Sequence, residues 1–176
     1  MSTSPVTFGS LNGQAATKYE NDVIAVHADI YGDPDDRDAF PRQFRVWQRQ
    51  PGFALAVAHS GDYLVGYACG MPLRTSTSWW KELTTPLPDH VTDEYPGRTF
   101  ALTGLAVRAP WRRQGIAWEL YDLVLTGREE ERATLTVDPH AAPAQEAFRT
   151  WGWRKIGRTR TPDPRTPALD VLTLDL

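Results

Sequence analysis

The chain has 176 residues, of which 41% are hydrophobic and 23% are charged, and its formal net charge is −3. These values predict a single domain over residues 1–176 that is large enough to bury a core. The lack of a basic run argues against nucleic acid as the main partner. No apolar run is long enough to span a membrane, and residues 1–5 do not resemble a signal peptide. The lone Cys69 excludes an internal disulfide and a zinc-ligand cluster, so we expect a cytoplasmic protein without a metal.

The N-terminal part of the chain predicts one strand and two helices. Val6–Ser10 has the composition of a short strand, and Ala15–Tyr31 has apolar residues at helical spacing. We expect His27 to be a half-buried residue of this first helix, and Gly32 to end the helix in the left-handed conformation. A second helix is predicted where three aromatic residues follow at helical spacing, namely Phe40, Phe44 and Trp47.

A hairpin and a long loop follow these helices. Phe53–Ala58 and Tyr63–Gly70 are rich in β-forming residues and flank a short polar turn, which predicts two antiparallel strands. Residues 71–97 are irregular and contain two adjacent tryptophans, Trp79 and Trp80. A loop of this length in a compact domain is often functional, so both indoles are candidates for ligand binding.

The segment Thr99–Thr126 is the centre of the prediction. It begins with the pattern of a buried strand, breaks at Ala109-Pro110 and becomes helical after Gly115. A strand, a glycine turn and a helix present free backbone N–H groups at the positive end of the helix dipole, which is a site suited to phosphate. Because Arg112 and Arg113 add positive charge at the same point, we interpret this turn as a cradle for a pyrophosphate group.

The rest of the chain predicts a strand, a helix and two last strands. The charged run Arg128–Arg132 is expected to be a solvated helix end. The next strand is predicted at 133–137, the helix at 144–151, and the last two strands at 154–160 and 169–174.

Two segments resemble one known family. Val107 and, after a four-residue gap, residues 112–117 with the sequence RRQGIA resemble the acyl-CoA signature R/Q-x-x-G-x-G/A of the GNAT N-acetyltransferase superfamily. Trp151-Gly152-Trp153 resembles the aromatic and glycine residues that close the family's domain. The resemblance covers about 99–156 and implies an α/β (α+β) fold: a mixed, mostly antiparallel central sheet flanked by helices, with a splayed parallel pair of strands at the acyl-CoA site.

The same resemblance implies a cofactor. Acetyl-CoA, or another acyl-CoA, is expected to lie with its pantetheine arm along the central strand and its pyrophosphate at the helix start. The residues that the resemblance places at this cofactor are Leu105, Ala106, Val107, Arg112, Arg113, Gln114, Gly115, Ile116, Ala117 and Trp118.

The resemblance also implies direct transfer of the acyl group to an amine, here expected to belong to a small molecule. The first helices and the long loop would wall the acceptor cleft, which makes Tyr31, Asp33, Trp79 and Trp80 the candidate substrate-binding residues. Carboxylates at Asp33, Asp35, Asp36 and Asp38 would attract a cationic amine, although an acidic first turn of a helix explains them equally well. The protein is expected to be a monomer or a homodimer.

The sequence departs from the family pattern where protons are handled. Many members carry Glu on the central strand and Tyr near the closing segment, whereas the matching residues here are Gly104 and Phe148. Asp138 and His140 follow the neighbouring strand and are the candidate catalytic substitutes, with a turn and a surface imidazole as the alternative interpretations. Two functions therefore stay open: an N-acetyltransferase, or a module that binds acyl-CoA without catalysing transfer.

Overall fold

The structure is a computed structural model that describes residues 4–32, 38–162 and 164–176. The strands of the described residues are β1 (Val6–Asn12), β2 (Ala54–Ser60), β3 (Tyr63–Pro72), β4 (Thr99–Val107), β5 (Arg132–Val137), β6 (Arg154–Thr159) and β7 (Leu169–Asp175). The α-helices are α1 (Gly13–Ala16), α2 (Glu20–Tyr31), α3 (Ala39–Gln48), α4 (Asp89–Thr92), α5 (Ile116–Leu125) and α6 (Ala142–Thr150). Within the described ranges, none of these helices is long and apolar enough to cross a membrane.

The strands form one mixed sheet in the order β1-β2-β3-β4-β5-β7-β6. The β1–β2, β2–β3, β5–β7 and β6–β7 pairs are antiparallel. The β4–β5 pair is parallel over three residue pairs, from Thr99↔Arg132 to Ala101↔Thr134. A mostly antiparallel sheet with one parallel pair, flanked by helices, confirms the predicted fold class.

Contacts divide the chain into two compact units. The first comprises Met1–Met71 and Leu102–Gly127, and the second comprises Pro72–Ala101 and Arg128–Leu176. The single domain that we expected over residues 1–176 stays a prediction.

The core of the first unit is formed by apolar side chains of the β2–β3 hairpin and of helices α2 and α3. Its fully buried members include Val23, Val26, Phe44, Leu55 and Tyr67. Burial of each such side chain contributes about 1.5–3 kcal/mol, which explains why both hairpin strands are so strongly apolar. The hairpin predicted from the sequence is confirmed, with both strands two residues longer than expected at their C-terminal ends.

Two local predictions about the first helix were wrong. The predicted helix is divided into α1, a 3₁₀ turn at Thr17–Tyr19, and α2. Gly32 follows α2 with φ of −49°, so it is not left-handed. A Cβ atom on Gly32 would lie 2.4 Å from the carbonyl oxygen of Ala28, so close approach of the backbone, and not an unusual φ, is the reason for glycine here.

The charged run Arg128–Arg132 is not a solvated helix end, so that prediction was also wrong. Helix α5 ends at Leu125, and Glu130 is buried where its carboxylate accepts two hydrogen bonds from Arg128, both of 2.9 Å. The Arg128 guanidinium lies 3.9 Å from the centre of the Phe100 ring. Pairing with a buried partner allows these charges to leave water.

Candidate functional site

The turn between β4 and α5 exposes the start of a ten-residue helix. Gly115 has φ of +80° and directly precedes Ile116, the first residue of α5. A Cβ atom on Gly115 would meet nothing within 4 Å, so the space in front of the helix is open. No side chain of the described residues caps this end. The first N–H groups of an α-helix have no carbonyl partner within the helix itself, so this end of α5 is suited to an anion.

Positive charge flanks this turn. Arg112 and Arg113 are exposed, and Arg113 has φ of +61°, which is uncommon outside glycine. Arg112 Nε donates a hydrogen bond of 2.8 Å to the carbonyl of Val107, which holds the side chain at the end of β4. Two guanidinium groups at the positive end of a helix dipole favour an anion.

The residues of the turn fit a pyrophosphate group. The predicted set from Arg112 to Trp118 forms one continuous stretch, in which Ile116 is buried and anchors the helix while its neighbours at 112–115 are exposed. Open space at Gly115, a helix start without a side-chain cap and positive charge coincide there. The assignment of these residues to a cofactor stays a prediction.

The predicted cofactor strand positions lie at the end of β4. Ala106 and Val107 are buried, and Leu105 is partly exposed. The carbonyl of Leu105 accepts a hydrogen bond of 3.4 Å from Tyr31 Oη, and the carbonyl of Val107 accepts the one from Arg112. Tyr31, a predicted substrate-binding residue that is 56% exposed, thus contacts the strand end directly.

Gly104 occupies the β4 position where the family resemblance led us to look for a carboxylate. A Cβ atom on Gly104 would lie 2.8 Å from Tyr67 Cε2 and 3.0 Å from Cys69 Sγ. Both distances are shorter than ordinary contacts between carbon and its neighbours, so a larger residue requires these side chains to move. The packing of β3 on this strand thus leaves no room for a carboxylate side chain at position 104.

Tyr67 places its hydroxyl group beside His27 of α2. Tyr67 Oη lies 3.2 Å from His27 Nδ1, and the imidazole stacks on Phe40 with 3.5 Å between the ring centres and 2° between the planes. The ring centre of Tyr31 is 4.9 Å from that of His27. Burial lowers the pKa of His27 from 6.5 to about 4 and raises the pKa of Tyr67 well above 10, so both groups are neutral near pH 7.

The partly buried state of His27 confirms the expectation for a helix residue. Sequence reasoning missed its contact with Tyr67, which lies forty positions further along the chain. The only sequence signal was a histidine among the apolar residues of an amphipathic helix, a pattern that most often marks ordinary packing.

The predicted catalytic residues Asp138 and His140 lie in the second unit, in an exposed turn after β5. The backbone N–H of His140 donates to Asp138 Oδ1 at 2.8 Å, and Gln145 Nε2 donates to the carbonyl of Asp138 at 3.1 Å. These bonds are typical of a turn that leads into a helix. Phe148 is buried, with Trp151 and Trp153 edge-on against its ring. A catalytic role for Asp138 or His140 stays a prediction.

The two tryptophans of the long loop differ in their surroundings. Trp80 is 9% exposed, and its indole N–H donates a hydrogen bond of 3.1 Å to Glu94. Trp79 is partly buried, and its indole nitrogen has no hydrogen-bond partner in the described part of the chain. Trp80 thus has a structural role in the second unit, and the assignment of both indoles to an acceptor site stays a prediction.

Most of the predicted acidic wall lies outside the described residues. Asp33, Asp35 and Asp36 lie outside the described residues, and Asp38 is an exposed residue directly before α3.

Across 4–32, 38–162 and 164–176, no three side chains of the His, Cys, Asp or Glu type come together in a way that would hold a metal ion.

Comparison with known proteins gives the family. A model of the acetyltransferase (GNAT) family matches residues 20–153, and the chain therefore belongs to this family. No sequence among the curated proteins matches the chain.

Solved structures share the fold at low sequence identity. PH1933 from Pyrococcus horikoshii OT3 is 17% identical with a TM-score of 0.70, and the match covers 98% of this chain and 99% of that one. Arabidopsis thaliana NAA60 in complex with acetyl-CoA is 16% identical with a TM-score of 0.66, over 98% and 99% of the two chains. The aminoglycoside N-acetyltransferase AAC(6')-Iy in complex with CoA is 16% identical with a TM-score of 0.61, over 93% and 97%.

Proposed function

We propose that this protein transfers an acetyl group from acetyl-CoA to the amine of a small molecule. The observation that carries the proposal is the turn at Gly115, where open space, a helix start without a side-chain cap and two arginines meet. Family membership supports acyl transfer. The bound acetyl-CoA and CoA of the NAA60 and AAC(6')-Iy structures support the choice of donor.

Acetyl-CoA, when bound, supplies an acetyl group in a thioester, which is reactive toward an amine. The N–H groups from Arg113 to Trp118 would hold the pyrophosphate, and the side chains of Arg112 and Arg113 would offset its charge. The backbone of Leu105 and Val107 would pair with the pantetheine arm.

The acceptor that we propose is a small amine with a ring or an apolar body. Tyr31 presents an exposed aromatic face beside the stacked His27 and Phe40, and such faces bind apolar rings and cations alike. The aminoglycoside enzyme among the structural neighbours acts on a molecule of this general class.

A second candidate function is a module that binds acyl-CoA without transferring the acyl group. Two observations favour it: Tyr67 fills the space for a carboxylate at Gly104, and Phe148 has no hydroxyl group to protonate a thiolate. In this case the cofactor site would be kept while the proton carriers are lost.

One experiment separates the candidates. The protein is titrated with acetyl-CoA by calorimetry, and CoA release is then followed with a thiol reagent over aminoglycosides, polyamines, amino acid amides and short peptides. We expect saturable binding and release that depends on a small amine. Binding without amine-dependent release at any pH supports the second candidate, while release with peptides alone refutes the small-molecule acceptor. Absence of binding refutes both functions.

A further inference from the structure

We propose that His27, held in place by Tyr67, takes the proton of the acceptor amine in place of the carboxylate that Gly104 does not carry. This inference rests on the acyl transfer proposed above and names the group that serves it. His27, Tyr67 and Gly104 all lie in the first unit, on α2, β3 and β4.

The position of His27 follows from the packing at Gly104. Tyr67 Oη would lie 3.5 Å from a Cβ atom on Gly104, which is within the reach of a longer side chain at that position. The same oxygen lies 3.2 Å from His27 Nδ1. The hydroxyl group of Tyr67 therefore lies between the imidazole of His27 and the space that a carboxylate at position 104 would occupy.

A second contact ties His27 to the same stretch of β4. Tyr31, one turn further along α2, lies against the imidazole and donates its hydroxyl hydrogen to the carbonyl of Leu105. His27 is thus connected to Gly104 through Tyr67 and to Leu105 through Tyr31. Both strand residues belong to the segment that would line the bound thioester.

The proposal requires one of the two neutral tautomers of His27, since the hydroxyl group of Tyr67 can either donate to Nδ1 or accept from it. When Nδ1–H donates to the phenol oxygen, Nε2 keeps a lone pair that can accept a proton. Nδ1 is the ring nitrogen with a hydrogen-bond partner among the residues described, and the side chain is partly exposed. Stacking on Phe40 fixes the plane of the ring. Tyr67 is accordingly a positioning residue, and His27 is the catalytic base.

In the proposed step, the acyl group moves from the sulfur of acetyl-CoA to the amine nitrogen. The amine nitrogen forms a bond to the acyl carbon, the bond between that carbon and sulfur breaks, and the sulfur leaves as a thiolate. The proton of the amine moves to His27 Nε2, and the resulting imidazolium returns it through solvent to the thiolate. The products are an amide and a free thiol, with the imidazole neutral again.

The surroundings of His27 make it a weak base. The titratable groups that face it or its partner are Tyr31 on its own helix and Tyr67 and Cys69 on β3, and burial raises the pKa of all three. Burial also lowers the pKa of His27. A weakly basic imidazole can accept the proton only after the amine nitrogen has begun to bond to the acyl carbon, because that bond makes the N–H group acidic. We therefore expect slow transfer.

Two conservative variants test the proposal. His27→Phe keeps a ring that stacks on Phe40 but removes both nitrogens, and Tyr67→Phe keeps the packing against Gly104 but removes the hydroxyl group. His59→Phe is the matched control, since His59 lies on β2 with its ring against Tyr19. We expect unchanged affinity for acetyl-CoA in all three, a decrease in kcat of about 10²–10⁴-fold for His27→Phe, and no change for His59→Phe. Tyr67→Phe should lower kcat by about tenfold at constant KM.

Nitrogen-15 spectra of the imidazole provide a readout that does not depend on activity. In the wild-type protein at neutral pH we expect Nδ1 to carry the proton and Nε2 to be unprotonated, and in Tyr67→Phe we expect a mixture of tautomers. A protonated Nε2 in the wild type, or wild-type kcat in folded His27→Phe, overturns the role of His27 alone. Wild-type protein that binds acetyl-CoA but releases no CoA with any amine overturns the proposed transfer as well.

Discussion

The turn at Gly115 and the packed site at Gly104 both require glycine, but for opposite physical reasons. At Gly115 the backbone has φ of +80° and a Cβ atom would meet nothing within 4 Å. At Gly104 a Cβ atom would meet Tyr67 at 2.8 Å. The first glycine keeps space open in front of a helix, and the second glycine leaves space that the protein itself fills.

The two sites differ in whether backbone groups or side chains form them. In the proposed function, the turn acts through backbone N–H groups of consecutive residues, so most side chains there would contribute little beyond charge. The proposed proton-transfer site at Gly104 acts through side chains of α2, β3 and β4, which must fit one another. We therefore expect the first site to tolerate substitution of most side chains, and the second to change when any partner changes.

The largest effect on cofactor affinity is expected when the open space at Gly115 is filled. Gly115→Glu places a side chain and a negative charge where the pyrophosphate would lie, and the loss of two or more charge-assisted hydrogen bonds should weaken acetyl-CoA binding by about 100-fold or more. Calorimetric titration measures this loss. Gly127→Glu is the matched control, because Gly127 also has a positive φ and open space around its Cβ position.

Both variants carry a similar conformational cost of about 1–2 kcal/mol for a non-glycine residue at positive φ. Any difference in acetyl-CoA affinity between them therefore reports on the ligand site. Equal affinity in the two folded variants would remove the turn from the cofactor site.

Filling the space at Gly104 should instead reduce stability. Gly104→Ala brings a methyl group into contact with Tyr67 and Cys69, and such overpacking costs about 1–3 kcal/mol. Gly9→Ala on β1 is the control, because its methyl group would lie 3.4 Å from Val57, an ordinary contact. Urea denaturation gives both free energies of unfolding. A Gly104→Ala protein as stable as Gly9→Ala would show that Tyr67 moves away easily.

The buried imidazole should make stability depend on pH. The pKa of His27 is about 4 in the folded protein and about 6.5 in the unfolded chain, so the unfolded chain binds more protons between these values. The free energy of unfolding is therefore highest above pH 6.5, as far as His27 is concerned, and it decreases as the pH falls toward 4. We expect this decrease to be less than about 1.4 kcal/mol per pH unit, because the ring is partly exposed.

The measurement compares the free energy of unfolding of the wild type with that of His27→Phe from pH 4 to pH 7. We expect the wild type to lose more stability than the variant in this range. Parallel curves for the two proteins would show that the imidazole is already protonated or well solvated in the folded state.

The smallest effect is expected from a side chain within the turn. Gln114 is exposed, and its amide donates a hydrogen bond of 3.3 Å to the carbonyl of Pro110. Gln114→Ala keeps the backbone N–H and should change acetyl-CoA affinity by about twofold. A tenfold loss would mean that this side chain contacts the ligand and that the turn does not act through its backbone alone.

The sequence by itself determined the elements that depend on neighbouring residues. The strand, turn and helix around Gly115 were predicted because hydrophobic period and a glycine before a helix are local properties. The β2–β3 hairpin was predicted for the same reason. The family followed from the residues of that turn and from Trp151-Gly152-Trp153, and the family comparison confirmed it.

Only the tertiary structure decided which distant side chains meet. The pairing of His27 with Tyr67 joins residues forty positions apart, Trp80 donates to Glu94, and Arg128, the partner of Glu130, lies over the ring of Phe100. No local pattern distinguishes a charged residue that is paired and buried from one that is solvated, because the partner belongs to another part of the chain or of the fold. The sequence alone also could not explain the glycine at position 104, because the atoms that exclude a side chain there belong to another strand.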